Sequence, residues 1–192
     1  MSASFYLLNA WDGRVSQEQN QATSVGANLN YFGTKNLILN YNYIGGAEAA
    51  NGSHRQVQEI NAVYRCNDRI SIAIDYIYGQ QAKIPGQTDV RWSSFTVSVK
   101  AQINDMYSIL PRYEIFDDSD QGFAISGGLV APGLKQKMAS ITLANNFNLG
   151  DGLEARIELR SDKSDSNTFF YSSDHSPSYQ QDSYTAAFLY AF

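Results

Sequence analysis

The segment Ile70-Ser71-Ile72-Ala73-Ile74-Asp75-Tyr76 decides the fold of this chain. Apolar residues occupy its even positions, and small or polar residues occupy its odd positions. Successive side chains of a β-strand point to opposite faces, so the segment predicts a strand with one apolar and one polar face. The same two-residue period recurs along the chain, most clearly at residues 37–43, 95–101, 153–160 and 184–192.

Alternating runs and the spacers between them can be traced from one end of the chain to the other. The runs are residues 3–11, 22–32, 36–45, 56–65, 69–79, 91–102, 106–116, 137–147, 152–160 and 182–192. Short turns at 33–35, 66–68, 104–105 and 149–151 alternate with long polar loops at 12–21, 46–55, 80–90, 117–136 and 161–181. Short turns on one side and long loops on the other are typical of outer-membrane β-barrels.

The predicted fold is therefore a single all-β domain over residues 1–192. It is a transmembrane antiparallel up-and-down β-barrel of about ten strands, closed by pairing of the first run with the last. The order of the spacers places both termini on the periplasmic side. The alternation leaves one alternative open, a soluble sandwich or lipocalin-like barrel with Leu39, Ile72, Val97 and Ile157 packed in a core. Because Pro111 cannot donate to a ladder, we expect a bulge or a missed hydrogen bond in the seventh run.

Composition excludes several classes of protein. No stretch approaches the roughly 18 apolar residues of a membrane-spanning helix. The net charge of −5 argues against a nucleic-acid partner. Cys66 is the single cysteine, so an intrachain disulfide is excluded. No signal peptide precedes the first run, so we expect a mature or trimmed chain.

Aromatic residues lie at the ends of many runs and favour the membrane barrel over the soluble one. Aromatic side chains at strand ends form the two interfacial girdles of such barrels. The residues concerned are Tyr31, Tyr43, Tyr64, Tyr76, Tyr78, Tyr107, Tyr113, Phe147, Tyr184 and Tyr190.

Two segments resemble those of a known family, and the last run resembles a general signal of outer-membrane proteins. The segment Leu7-Leu8-Asn9-Ala10-Trp11-Asp12 resembles the Asn-Gly-Trp-Asp segment of the putative β-barrel porin family of Gram-negative bacteria, with Ala10 in place of Gly. Residues 112–118, RYEIFDD, resemble that family's Arg-Tyr-Glu-x-Phe-x-Asp strand end. The last run, with Tyr190 and Phe192, resembles the C-terminal signal that the barrel-assembly machinery reads in outer-membrane proteins.

The resemblance implies that the whole chain corresponds to the C-terminal part of such a porin, and that small solutes diffuse through it passively. Members of the family are longer, so a wide channel is not expected. The implied surroundings are outer-membrane lipids and lipopolysaccharide. The alternative function is a structural or surface-display barrel, similar to an adhesin, that acts through its extracellular loops.

The polar faces of the runs predict the residues that line the lumen. The charged members are Glu59, Arg65, Asp75, Lys100, Arg112, Glu114, Glu154, Arg156, Glu158 and Arg160. The polar members are Asn28, Asn30, Asn40, Asn42, Asn61 and Ser98. These charges either tune the selectivity of a pore or pair with one another and narrow the barrel, since unpaired buried charge is costly.

One ion-pair network in particular is predicted. The inward residues of the eighth run are the small Ser140, Thr142 and Ala144. Long Arg and Glu side chains of the seventh and ninth runs can therefore reach over it and pair. Replacing Arg112 or Arg156 with Ala should raise conductance and lower thermal stability together.

No enzymatic activity, cofactor or metal is expected. Omptin proteases are ten-stranded barrels that need Asp and His two residues apart at a strand end, opposite a pair of Asp. Here Asp174 and His175 are adjacent and lie in a loop, and His54 also falls in a predicted loop.

Overall fold

The computed structural model describes residues 1–9, 22–48, 52–82, 89–126, 133–170 and 176–191. The elements in chain order are β1 (Ser2–Leu8), β2 (Ser24–Thr34), β3 (Leu37–Ala47), β4 (His54–Arg65), β5 (Ile70–Gln81), β6 (Val90–Asn104), β7 (Tyr107–Asp117), α1 (Phe123–Ser126), β8 (Lys137–Gly150), β9 (Leu153–Ser164), β10 (Phe169–Phe170), β11 (Pro177–Ser178) and β12 (Gln180–Tyr190). Within these ranges no helix is long and apolar enough to cross a membrane.

All ten predicted runs are strands of one sheet. The sheet has ten antiparallel strands, and each of β1 to β8 pairs with the next strand in sequence, while β9 pairs with β12. The sequence missed two short elements inside the predicted long loops, α1 and the separate hairpin of β10 and β11. Segments of two to four residues are too short to show a period.

Four tight turns join the strands at one end of the sheet, as predicted. The β4–β5 turn contains exposed Cys66 and is closed by the Asn67 side-chain oxygen, which accepts hydrogen bonds from the backbone of Arg69 and Ile70. The β8–β9 turn has Asp151 at φ 49° and Gly152 at φ 78°. Positive φ at both central residues matches the twist of an antiparallel hairpin. Ser2 pairs with Asn30 and Tyr190 pairs with Leu153, both beside these turns. The start of β1 and the end of β12 therefore lie at this end of the sheet.

The two faces of the sheet differ in burial, and the polar face is the inner one. On β8, Ser140 and Thr142 are 4% and 1% exposed, whereas Ile141 between them is 65% exposed. A flat sheet would expose both faces equally, so the sheet curls around its polar face. The only buried hydrophobic residues of the described ranges are Val90 and Ala144.

This inside-out arrangement contradicts the soluble alternative. Leu39, Ile72 and Val97 are only half-buried, and Ile157 is exposed. In water such a surface would aggregate, whereas in a bilayer every second residue of a strand faces hydrocarbon. Aromatic residues pack along the same outer face. Tyr107 and Phe147 stack near the turns with ring centroids 5.1 Å apart.

The sheet ends at β1 and β12. Among the described residues no ladder joins these strands, so the predicted pairing of the first strand with the last is not seen. Both edges carry exposed aromatic side chains, Phe5 on β1 and Tyr184 and Phe188 on β12.

Pro111 leaves a gap in the ladder, as expected. The pairing of β6 with β7 passes from Ser98–Arg112 to Ala101–Ile109, and the two pairs between are missing. The register is the same on both sides of the gap, so the proline removes ladder contacts without forming a bulge. On its other side Pro111 stays in register with Leu143.

Candidate channel lumen

All sixteen residues predicted to line the lumen lie on the inner face. One row of paired positions runs across the whole sheet, and it begins with Asn30, Asn40, Asn61 and Asp75. It continues through Thr96, Glu114, Ser140 and Asp162. The remaining predicted residues lie an even number of positions from members of this row, so their side chains share its face.

The strands β7 and β9 carry a connected ion-pair network, which confirms the predicted one for Arg112, Glu114, Glu158 and Arg160. The other two predicted members, Glu154 and Arg156, lie outside it. One Glu114 oxygen, Oε2, lies 3.1 Å from Arg112 Nε and 2.6 Å from Arg160 Nη1. Arg160 Nε also contacts Asp162 Oδ1 at 2.8 Å, and Arg112 Nη2 lies 3.9 Å from Glu158 Oε1. The network therefore joins two strands that are not neighbours in the sheet.

Small residues on β8 allow the side chains of β7 and β9 to contact each other across it. Thr142 pairs with both Arg112 and Arg160, and its short side chain leaves the space above it open. Arg160 Nη2 donates to Ser140 Oγ at 3.0 Å on its way to Glu114. The guanidinium is thus held by three oxygen-bearing neighbours, an arrangement that fixes a planar donor group.

Asp162 belongs to the network and was missed by the sequence analysis. The sequence predicts a ninth run over residues 152–160, but β9 continues to Ser164. The side chain of Asp162 is mostly buried, and Ser140 Oγ donates to it. The signal was available, because the alternation of charged and uncharged residues continues through 162.

A second ion pair lies nearer the turns. Arg156 Nη2 contacts Glu154 Oε1 at 3.2 Å, and Arg156 Nε donates to Asn146 Oδ1 at 2.6 Å. Both side chains are about two-fifths exposed, so this pair is screened by water and contributes little to stability.

The opposite wall, β2 to β5, is built mainly from amides. Asn28 donates to Asn42 at 2.5 Å, and Asn42 donates to Glu59 Oε2 at 2.7 Å. Asn40 donates to Asn61 at 3.2 Å. Asp75 pairs with Asn61 in the ladder, and its buried Oδ1 has no hydrogen-bond partner among the described residues. This wall offers hydrogen-bond donors and acceptors with little charge.

Arg65 and Lys100 stand apart from both groups. They lie at the turn end of the lumen on β4 and β6, and both are exposed. In the described part of the chain neither forms an ion pair with a carboxylate. The predicted lumen charges therefore divide into two sets. Those on β7 and β9 form ion pairs with one another, and among the described residues Arg65 and Lys100 do not.

At the loop end, the segment after β7 folds against the inner face. Phe123 packs against Trp92 with ring centroids 5.1 Å apart, and the Arg55 guanidinium lies 5.1 Å from the Phe123 ring centre. Buried Asp118 accepts hydrogen bonds from the backbone of Ala124 and Ile125 and so holds α1 in place. The sequence did not predict this arrangement, because the contacts are long-range.

Comparison with known proteins identifies the family. The model of the family described as Putative beta-barrel porin-2, OmpL-like, matches residues 1–192. The chain belongs to this family. An outer-membrane porin has an inside-out sheet with a polar inner face, as described above. The predicted porin resemblance is therefore confirmed. The family implies an outer-membrane location in Gram-negative bacteria.

A solved structure shares the fold of this porin. It is a rhombohedral crystal form of the NanC porin, with a TM-score of 0.55 and 12% sequence identity. The match covers 89% of this chain and 79% of the NanC chain. At this identity the likeness extends to the fold alone. No curated protein matches the sequence.

Some sequence predictions fall on residues outside the described ranges, among them Ala10, Trp11 and Asp12 of the first family-like segment. Phe192, the last residue of the predicted assembly signal, is one of them, as are Asp174 and His175. Tyr190 lies on the outer face of β12 and is 64% exposed.

Proposed function

We propose that this porin is a narrow channel for the passive diffusion of small solutes, and that the β7–β9 ion-pair network limits its width. The observation that carries the proposal is Glu114 Oε2, which contacts Arg112 of its own strand and Arg160 two strands away. Side chains that pair across the inner face occupy space that a solute needs. Barrels of eight strands are filled by their side chains, whereas those of sixteen leave an aqueous channel.

The outer face supports a set of proposed partners. Its exposed Ile, Leu, Tyr and Phe side chains suit contact with outer-membrane lipid and lipopolysaccharide. We also propose that the barrel-assembly machinery recognises the alternating last strand with Tyr190 and Phe192. No catalytic activity is proposed.

Swelling of proteoliposomes in neutral sugars tests passive diffusion and width together. We expect vesicles with the porin to admit a pentose quickly and a disaccharide slowly. Arg160→Ala removes the side chain that reaches across β8 to Glu114, and it should speed the entry of the disaccharide. Lys163→Ala is the matched control, because Lys163 lies on the outer face of the same strand.

The absence of swelling for every sugar would contradict the channel and favour the surface-display alternative. A channel also requires β1 and β12 to be covered, because unpaired backbone groups are costly in a bilayer. Swelling that depends on sugar size therefore also supports a closed barrel.

Thiol labelling of Cys66 reports the orientation of the barrel in the membrane. We propose that the short turns are periplasmic, so a membrane-impermeant thiol reagent applied to intact cells should not label Cys66. A Cys66→Ser/Ser119→Cys variant is the control, since Ser119 lies in the opposite loop after β7. Rapid labelling of Cys66 with no labelling at position 119 would mean the reverse orientation.

A further inference from the structure

Two rows of the inner face have the same construction. In one, Arg112 and Arg160 flank Thr142 on the middle strand. In the other, Arg65 and Lys100 flank Ser71. The two basic residues of each row are two strands apart, about 10 Å between backbones, with a small side chain between them. Long side chains on both sides can therefore converge on the space above the small residue.

The two rows differ in what fills that space. In the first row a carboxylate of the chain does so, since Glu114 Oε2 touches both Arg112 and Arg160. The second row has no such acid among its neighbours on the inner face. The next inward residues along β4, β5 and β6 are Val63, Ala73 and Ser98. No ion pair joins Arg65 or Lys100 to a carboxylate anywhere in the described ranges.

A cavity lies beside the second row, on the side of the β4–β5 turn. Its volume is about 320 Å³, and Arg65, Ser71 and Lys100 line it together with Arg69 from the β4–β5 turn. Asp68 is the single acidic residue of the lining, so three basic groups face one acid. The cavity is large enough for a carboxylate or phosphate group with its water, and its basic lining attracts one.

We infer that Arg65, Arg69 and Lys100 form a binding site for the anionic group of a solute, a carboxylate or a phosphate, at the turn end of the lumen. The bound oxygen supplies the negative charge that Glu114 supplies to the basic residues of the other row. Guanidinium groups match carboxylate and phosphate geometry, and rings of Arg and Lys favour anions in pores. This inference rests on the proposed channel function and names the class of solute for which it is selective.

Two measurements on one pair of variants test the site. The test variant is Arg65→Gln/Lys100→Gln, and the control is Lys35→Gln, an exposed lysine in the neighbouring β2–β3 turn. The first measurement is the reversal potential of single channels in a KCl gradient. The Cl⁻/K⁺ permeability ratio should fall roughly fivefold in the test variant, the size expected when two charges act through water on a nearby ion. The control should keep the ratio of the unmodified porin.

The second measurement does not depend on conduction. Pyrophosphate is titrated calorimetrically into the refolded porin in detergent at low salt, where screening is weak. We expect binding that weakens roughly tenfold in the test variant and is unchanged in the control, because two charge-assisted contacts are lost. Heat-dependent gel mobility shows that both variants are folded.

The outcomes separate the site from the channel. Pyrophosphate binding that depends on Arg65 and Lys100 supports the site even if no conductance is found, in which case the proposed function fails. A conducting porin whose permeability ratio and pyrophosphate affinity are the same in both variants overturns the site and leaves the channel intact.

Discussion

Two walls of the lumen use the same residue types with different results. On β7 to β9, Arg and Glu alternate, and every basic residue of the network has an acidic partner within 4 Å. On β4 to β6, Arg65 and Lys100 lie across one small residue, and among the described residues neither forms an ion pair with an acid. From this comparison we expect that the position of the acids, rather than the number of charges, decides which wall narrows the pore and which wall attracts a solute.

Both walls depend on the inside-out sheet. A charge on the outer face should therefore reduce the free energy of unfolding more than any other substitution considered. Val97→Lys places an ammonium group on the outer face near the middle of β6. We expect a loss of about 2–4 kcal/mol in the free energy of unfolding, measured by urea titration in lipid vesicles.

Thr96→Lys is the matched control for that experiment. Thr96 is the inward neighbour of Val97 and lies between Asp75 and Glu114 in its row, so a new lysine finds carboxylates there. Equal losses for the two variants would mean that the faces have been assigned wrongly.

Removing the carboxylate of Glu114, which Arg112 and Arg160 share, should disrupt the ion-pair network on β7 and β9. Glu114→Gln leaves Arg112 and Arg160 without their common partner, while the side chain keeps its size. About three-quarters of each of these side chains is buried, so we expect a loss of about 1–3 kcal/mol in unfolding free energy. The Cl⁻/K⁺ permeability ratio should rise, since this row then resembles that of Arg65 and Lys100.

Glu154→Gln provides the comparison for that variant. Its partner Arg156 is two-fifths exposed, so the loss of stability should be much smaller. A loss as large as that of Glu114→Gln would show that position in the network does not matter.

Adding an acid to the β4–β6 wall should give its basic residues an ion-pair partner, as on the β7–β9 wall. Ser71→Glu places a carboxylate between Arg65 and Lys100 in the row they share. These groups are exposed, so we expect a gain in stability below about 1 kcal/mol. The larger change should be a fall in pyrophosphate affinity, because the new carboxylate competes for the site. Unchanged affinity would contradict the proposed geometry, and Ser71→Gln controls for the added bulk.

The strand count and the residues of each face could be predicted because they follow from a local two-residue period. Alternation puts Glu154, Arg156 and Glu158 on one face whatever their partners are. The prediction of the β7–β9 network needed one further fact, the small residues on β8, and that too was visible in the sequence. The strand ends were less accurate, which is why Asp162 was left out.

The division of the charges into paired and unpaired sets could not be predicted in the same way. Whether Glu114 reaches Arg160 rather than another cation depends on the register of three strands, which turn geometry fixes. The packing of Phe123 against Trp92 and Arg55 joins segments far apart in sequence, and no local pattern encodes it. Closure at β1 and β12 was predicted from the alternation of short and long spacers, and among the described residues no ladder joins these two strands.

Single-channel conductance in a planar bilayer tests the central claim most directly. The account predicts that the unmodified porin gives small, uniform conductance steps. Glu114→Ala/Arg160→Ala, which removes the span across β8, should give larger steps, and Lys163→Ala on the outer face should give unchanged ones. Equal steps in all three proteins, or large steps in the unmodified porin, would show that the network does not narrow the lumen and would contradict the account.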